Sequence, residues 1–122
     1  MKVVLIDDTP EIAELLTFAL RDRGYDVFAS GFTGDITHIL DEQQADALVV
    51  NCTALEMSEA IFDAVRADDA RATLPIVLIS DTPEKADAAL QKRHAGHVLL
   101  IPKPFSGSQV ARALDQLLTP NA

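Results

Sequence analysis

Cysteine occurs once, at Cys52, so no disulfide can close within the chain. Basic residues are also few: ten Lys and Arg stand against nineteen Asp and Glu, for a formal net charge of −9. The ten are scattered, which argues against nucleic-acid binding, because phosphate contacts need clustered Lys and Arg. Long hydrophobic runs are missing. The longest, such as Leu74 to Ile79, fall far short of the roughly 20 residues of a spanning helix. At the start of the chain, Val3-Val4-Leu5-Ile6 is too short for the apolar core of a signal peptide and runs straight into Asp7-Asp8. No Gly/Ser/Pro-rich linker, internal repeat or low-complexity tract divides the chain. Together these absences predict one cytoplasmic domain over residues 1–122, with no membrane contact.

What is present is apolar residues, 48% of 122, enough for a core and too many for a disordered chain. They fall into five short runs: Val3 to Ile6, Tyr25 to Ala29, Ala47 to Val50, Leu74 to Ile79 and Val98 to Ile101. Most are rich in Val, Ile and Leu without alternation, as strands buried on both faces are. Amphipathic stretches lie between them. Thr9-Pro10 supplies an N-cap and a first-position proline; Ile12, Leu15, Leu16, Ala19 and Leu20 then recur at helical spacing until Gly24. Ile36, Ile39 and Leu40 mark a second helix, and Ser58-Glu59 with Ile61, Phe62 and Val65 a third. Thr82-Pro83 opens a fourth, with Ala86, Ala89 and Leu90 inward, and Val110, Ala113, Leu114 and Leu117 mark a fifth. Five β-α repeats predict an α/β fold: a doubly wound, five-stranded parallel sheet in order 2-1-3-4-5, two helices on one face and three on the other.

Such folds place function at the carboxyl ends of strands. Asp7-Asp8 follow the first run, Asn51 the third, Ser80 the fourth and Lys103-Pro104 the fifth. Asn51 is the most informative of these. A carboxylate there could attack a phosphoryl group; a carboxamide, with its delocalised nitrogen lone pair and no charge, cannot.

Over nearly its whole length the chain resembles the receiver domain of bacterial response regulators, the CheY-like, flavodoxin-like signalling module. Asp7-Asp8-Thr9-Pro10-Glu11 resembles the family's acidic pair and the start of its first helix. Asp46 to Asn51 resembles the strand leading to the phosphoacceptor, and Cys52 to Met57 the loop beyond it. Ser80 matches the switch hydroxyl and Lys103-Pro104 the terminal pair. The resemblance implies a magnesium site from Asp7, Asp8 and the Thr53 backbone carbonyl, since that ion takes hard oxygen ligands. It also implies phosphoryl transfer driven by positioning and charge, a Lys-Pro bond that is often cis, and signalling through the fourth-helix, fifth-strand and fifth-helix face. Exposed residues expected there are Lys85, Arg93, Gln109 and Arg112.

The departures from that pattern set the expectation for this chain. Asn51 replaces the phosphoacceptor. Two carboxylates and Lys103 leave about −1 where the family's set leaves about −2, so no cofactor is required and magnesium binds weakly at most. Leu55 stands in place of proline and Ser58-Glu59 in place of Asp-Gly. Asp81 puts a carboxylate where it would repel a phosphoryl group, or where it could turn inward as a substitute metal ligand. Leu100 takes the place of the aromatic switch residue. An additional residue between Leu99 and Pro102 is expected to distort the fifth strand, with Pro102 deleting a ladder N–H. Lys103 is expected to pair with Asp8, and Ser80 reads equally as switch hydroxyl or as a cap before the fourth helix.

The expected function is a receiver-like module of two-component phosphorelays that is not phosphorylated, is not an enzyme, and acts by contact with a protein: a kinase, an output domain or a second copy. Two rivals stand beside it. One is a conventional magnesium-dependent phosphoacceptor, with Asn51 introduced by engineering or another Asp used. The other is a small-ligand or metal sensor built on the relict pocket. Thr119-Pro120-Asn121-Ala122 close the chain directly after the fifth helix, which suits either a free-standing receiver or one parted from an effector.

Overall fold

A computed structural model describes residues 1–119; of the closing segment, Pro120, Asn121 and Ala122 lie outside the described residues. The apolar runs become β1 (Lys2–Asp7), β2 (Asp26–Ser30), β3 (Ala47–Asn51), β4 (Ile76–Ser80) and β5 (Val98–Pro102). All pair in parallel, in order β2-β1-β3-β4-β5. Between them run α1 (Pro10–Asp22), α2 (Ile36–Gln43), α3 (Leu55–Ala67), α4 (Pro83–Lys92) and, after β5, α5 (Gly107–Leu118).

The two-residue period of the strands divides the apolar side chains into two cores. Val3, Leu5, Val49, Val77 and Ile79 face α1 and α5. Val4, Ile6, Leu48, Val50 and Leu78 face α2, α3 and α4. The two-and-three division of helices is as expected. The central strands β1, β3 and β4 are apolar on both faces for this reason. No helix among the described residues is long and apolar enough to cross a membrane.

Four local expectations are corrected. First, Leu55 to Met57 are not loop: α3 begins at Leu55, where Met57 and Ser58 already donate backbone bonds to the Ala54 carbonyl. Leu and Met favour helix, and no Pro or Gly interrupts them. Second, β5 carries no distortion. Its register with β4 is unbroken from Ile76↔Val98 to Ser80↔Pro102. The Lys103 N–H donates to the Ser80 carbonyl at 2.9 Å, so by strand alternation the Pro102 nitrogen points to the open edge and removes no ladder bond. Third, Thr9 and Thr82 stand at the N-caps of α1 and α4, but neither side chain caps its helix; both turn to partners in the strand-end loops. Fourth, Leu15 does not face the core. It is 68% exposed, and Phe18 one turn on is 76% exposed.

Candidate functional site

The carboxyl edge of the sheet gathers Asp7, Asn51 and Ser80, all buried, with Asp8, Thr53 and Lys103 around them. Parallel register sets Asp7 directly beside Asn51 at the ends of β1 and β3. The Asn51 Nδ2 group donates to Asp7 Oδ2 at 3.0 Å. The other Asp7 oxygen accepts the Thr9 backbone N–H at 2.8 Å. Burial raises the Asp7 pKa above the ordinary carboxylate value, although the Thr9 and Asn51 bonds oppose it.

Asp8 behaves differently. It too is pushed up by desolvation, but bonds from the Thr53 backbone N–H at 2.8 Å and the Thr53 hydroxyl at 3.1 Å outweigh that, and its pKa is lowered. Thr53 thus enters the site through its N–H and hydroxyl, which sequence reasoning missed because it considered only the carbonyl. Lys103 makes no ion pair with Asp8, nor with any other carboxylate among the described residues, which corrects that expectation. Asp8 is already turned to Thr53, and Lys103 reaches Asp7 only through its charge, at a distance.

Ser80 Oγ accepts the Thr82 N–H at 3.0 Å and lies 3.3 Å from the Thr82 hydroxyl. The hydroxyl therefore organises the turn into α4. Asp81 is exposed on the same turn. Among the described residues no third acid joins Asp7 and Asp8 in a metal-binding group, so Asp81 does not turn inward as a substitute ligand. Leu100 lies on the α4 face of β5, half-buried against the second core. The Lys103-Pro104 peptide bond is cis. Cys52, one residue past Asn51, is buried, and burial followed by the nearby Asp8 charge pushes its thiol up to about 11, which keeps it an unreactive thiol at neutral pH.

One atom has no partner. Asn51 Oδ1 is the only buried side-chain polar atom among the described residues without a hydrogen bond. The amide spends its nitrogen on Asp7 and leaves its oxygen free, and an oxygen left so needs a donor, a water or a cation.

The face expected to carry signals differs in one respect. Lys85, Gln109 and Arg112 are exposed as expected, but Arg93 is committed. Its guanidinium holds Asp63 of α3 through Nε at 2.7 Å and through a second nitrogen at 3.0 Å, and reaches Glu59 at 2.9 Å. The hydrogen bonds to Asp63, with help from Glu59, raise its pKa further above the guanidinium range. This clamp joins positions 30 and 34 apart, so no local pattern in the sequence signals it.

Comparisons with known proteins agree with this architecture. No family model matches the chain. It is 29% identical over 119 residues to "Probable transcriptional regulatory protein TcrX" of Mycobacterium tuberculosis (strain ATCC 25618 / H37Rv), covering 95% of this chain and 49% of that one. The chain thus spans about half the length of the curated relative it matches. Chemotaxis response regulator CheY4 of Vibrio cholerae superposes with a TM-score of 0.80 at 22% identity, covering 96% of this chain and 98% of that one. The signal receiver domain of a signal transduction histidine kinase from Syntrophus aciditrophicus gives 0.80 at 19% identity, covering 96% and 89%. The fold is that of CheY-like receiver domains.

Proposed function

We propose that this chain is a receiver-like module of two-component signal transduction that works in the cytoplasm by protein contact, without accepting a phosphoryl group and without catalysis of its own. The observation that carries this reading is the Asn51–Asp7 hydrogen bond. The atom that should be a nucleophile is instead an amide donor, tied to a carboxylate that should hold metal. A neutral amide nitrogen has no lone pair to give to phosphorus. Support comes from Asp81 and Leu100, one unsuited to a phosphorylated site and the other to ring-coupled switching, and from the receiver fold itself.

The contact face in this reading is α4–β5–α5, and the partner is a kinase, an output domain or another copy. A groove of about 690 Å³ between α4 and β5, lined by Leu90, Val98 and Leu100 among others, offers it apolar surface. Acetyl phosphate with magnesium tests the proposal. Intact mass stays unchanged if it holds, and a stable gain of one phosphoryl group overturns it.

A second reading is favoured by the free Asn51 Oδ1. That oxygen, the Asp7 and Asp8 carboxylates and the Thr53 carbonyl would suit a weakly held magnesium ion, with one carboxylate fewer than a strong site. Such an ion would neutralise the acidic pair. Magnesium-dependent amide shifts confined to residues 7–9 and 51–53 would support it, and unchanged spectra would remove it.

A further inference from the structure

Leu15 of α1 shares a groove with Lys103, Pro104 and Phe105, whereas the groove that Phe18 lines holds none of the strand-end site residues. Phe18 is 76% exposed, on the side of α1 turned away from the core. Glu14 lies one turn before it and Arg21 one turn after, so the three form one stripe at helical spacing. All three line a groove of about 510 Å³ between α1 and the end of β2, whose floor includes Ala13, Thr17 and Ala29. Among the described residues neither Glu14 nor Arg21 forms an ion pair. Arg21 is nonetheless fixed in place: one of its nitrogens donates to the Val27 carbonyl at 3.1 Å, which leaves its other N–H groups free. Leu15, 68% exposed, extends the apolar surface along the neighbouring flank of the helix.

This stripe is complementary to itself. An acid, an aromatic ring and a base in that order become a base, a ring and an acid when the helix is reversed. We propose that the α1 face is a two-fold contact between copies of this chain. The helices run antiparallel, with Phe18 of each copy packed in the groove of the other and Glu14 of each paired with Arg21 of the partner. A two-fold interface uses the same patch on both subunits, so it needs this kind of self-complementarity. Buried aromatics and Arg are the residue types that dominate such contacts. The net charge of −9 opposes association in general; the mixed-sign stripe removes that opposition locally. The proposal does not depend on whether Asn51 is phosphorylated.

Sedimentation velocity of the full chain from about 10 μM to about 1 mM tests it. The weight-average mass should climb from 13.2 kDa toward twice that value. Phe18→Ser should hold it at the monomer value, and because Phe18 is exposed the variant keeps its fold by circular dichroism. Glu14→Arg sets Arg against Arg, and Arg21→Glu sets Glu against Glu, so each single variant should be monomeric. The double variant Glu14→Arg/Arg21→Glu restores the pairing and should dimerise again. A chain monomeric throughout the range, a dimer indifferent to Phe18→Ser, or a double variant as monomeric as the singles would each overturn the proposal.

Discussion

Asn51 donates a hydrogen bond to Asp7 at 3.0 Å across the ends of two neighbouring strands, and both side chains are buried. A carboxylate in place of the amide would set two negative charges in that space. Asn51→Asp should therefore destabilise the domain by about 1–3 kcal/mol at pH 7. Magnesium should recover most of the loss, since a dication neutralises the pair. Urea melts with and without magnesium check this. A variant as stable as the native chain without the ion would show that the amide bond does not hold the pair together.

Asp7 and Asp8 have pKa shifts of opposite direction, and their effects on stability run oppositely. A raised carboxyl contributes stability while protonated, below its unfolded pKa, and loses it as pH rises through the folded value. A lowered one contributes above its unfolded pKa and loses it as pH falls through the folded value. At pH 7, Asp7→Asn should therefore stabilise the fold, while Asp8→Asn should weaken it, because the amide keeps one acceptor oxygen where the carboxylate offers one to each of the two Thr53 bonds. Melting temperatures of both variants from about pH 2 to about pH 8, a range that spans both sides of the ordinary carboxyl values, give the comparison. The reverse order at pH 7 would contradict the burial argument.

Much of the site was legible because it follows from strand ends. Asp7, Asp8, Asn51, Ser80 and Lys103 stand where apolar runs stop, and a parallel sheet brings such ends to one edge. The structure draws Asp7, Asn51 and Ser80 into that edge as buried groups. What was not legible depends on choices between partners. Asp8 turns to Thr53, and among the described residues Lys103 forms no ion pair, a competition that spacing does not reveal. Pro102 reads as disruptive in the sequence, which does not say which way its nitrogen points; the β4 register does. Leu15 fits a helical apolar pattern and is nonetheless exposed, since α1 has only one face on the sheet.

Arg93 ties α4 to α3 through Asp63 and Glu59. Arg93→Ala should cost about 1 kcal/mol, as a partly exposed bidentate pair does. The larger effect should be local: faster amide exchange over Pro83–Lys92 than over α1. Uniform exchange across the two helices would count against the clamp.

Gly107 opens α5 against α1 with no room to spare. A Cβ there would come within 2.5 Å of the Ala19 Cβ, an atom fixed by its own helix. Gly107→Ala should destabilise by about 1–3 kcal/mol despite the better helix propensity of alanine. Ala19→Gly in the same chain should relieve the clash and recover part of the loss. Chemical denaturation of the single and double variants decides it.

The most direct test of the account sets the native chain beside Asn51→Asp in the same mixture of acetyl phosphate and magnesium, read by intact mass. Any base-labile phosphoryl group is expected on the variant alone, whose carboxylate supplies the nucleophile that the amide lacks, and none on the native chain. A phosphoryl group on the native protein would contradict it.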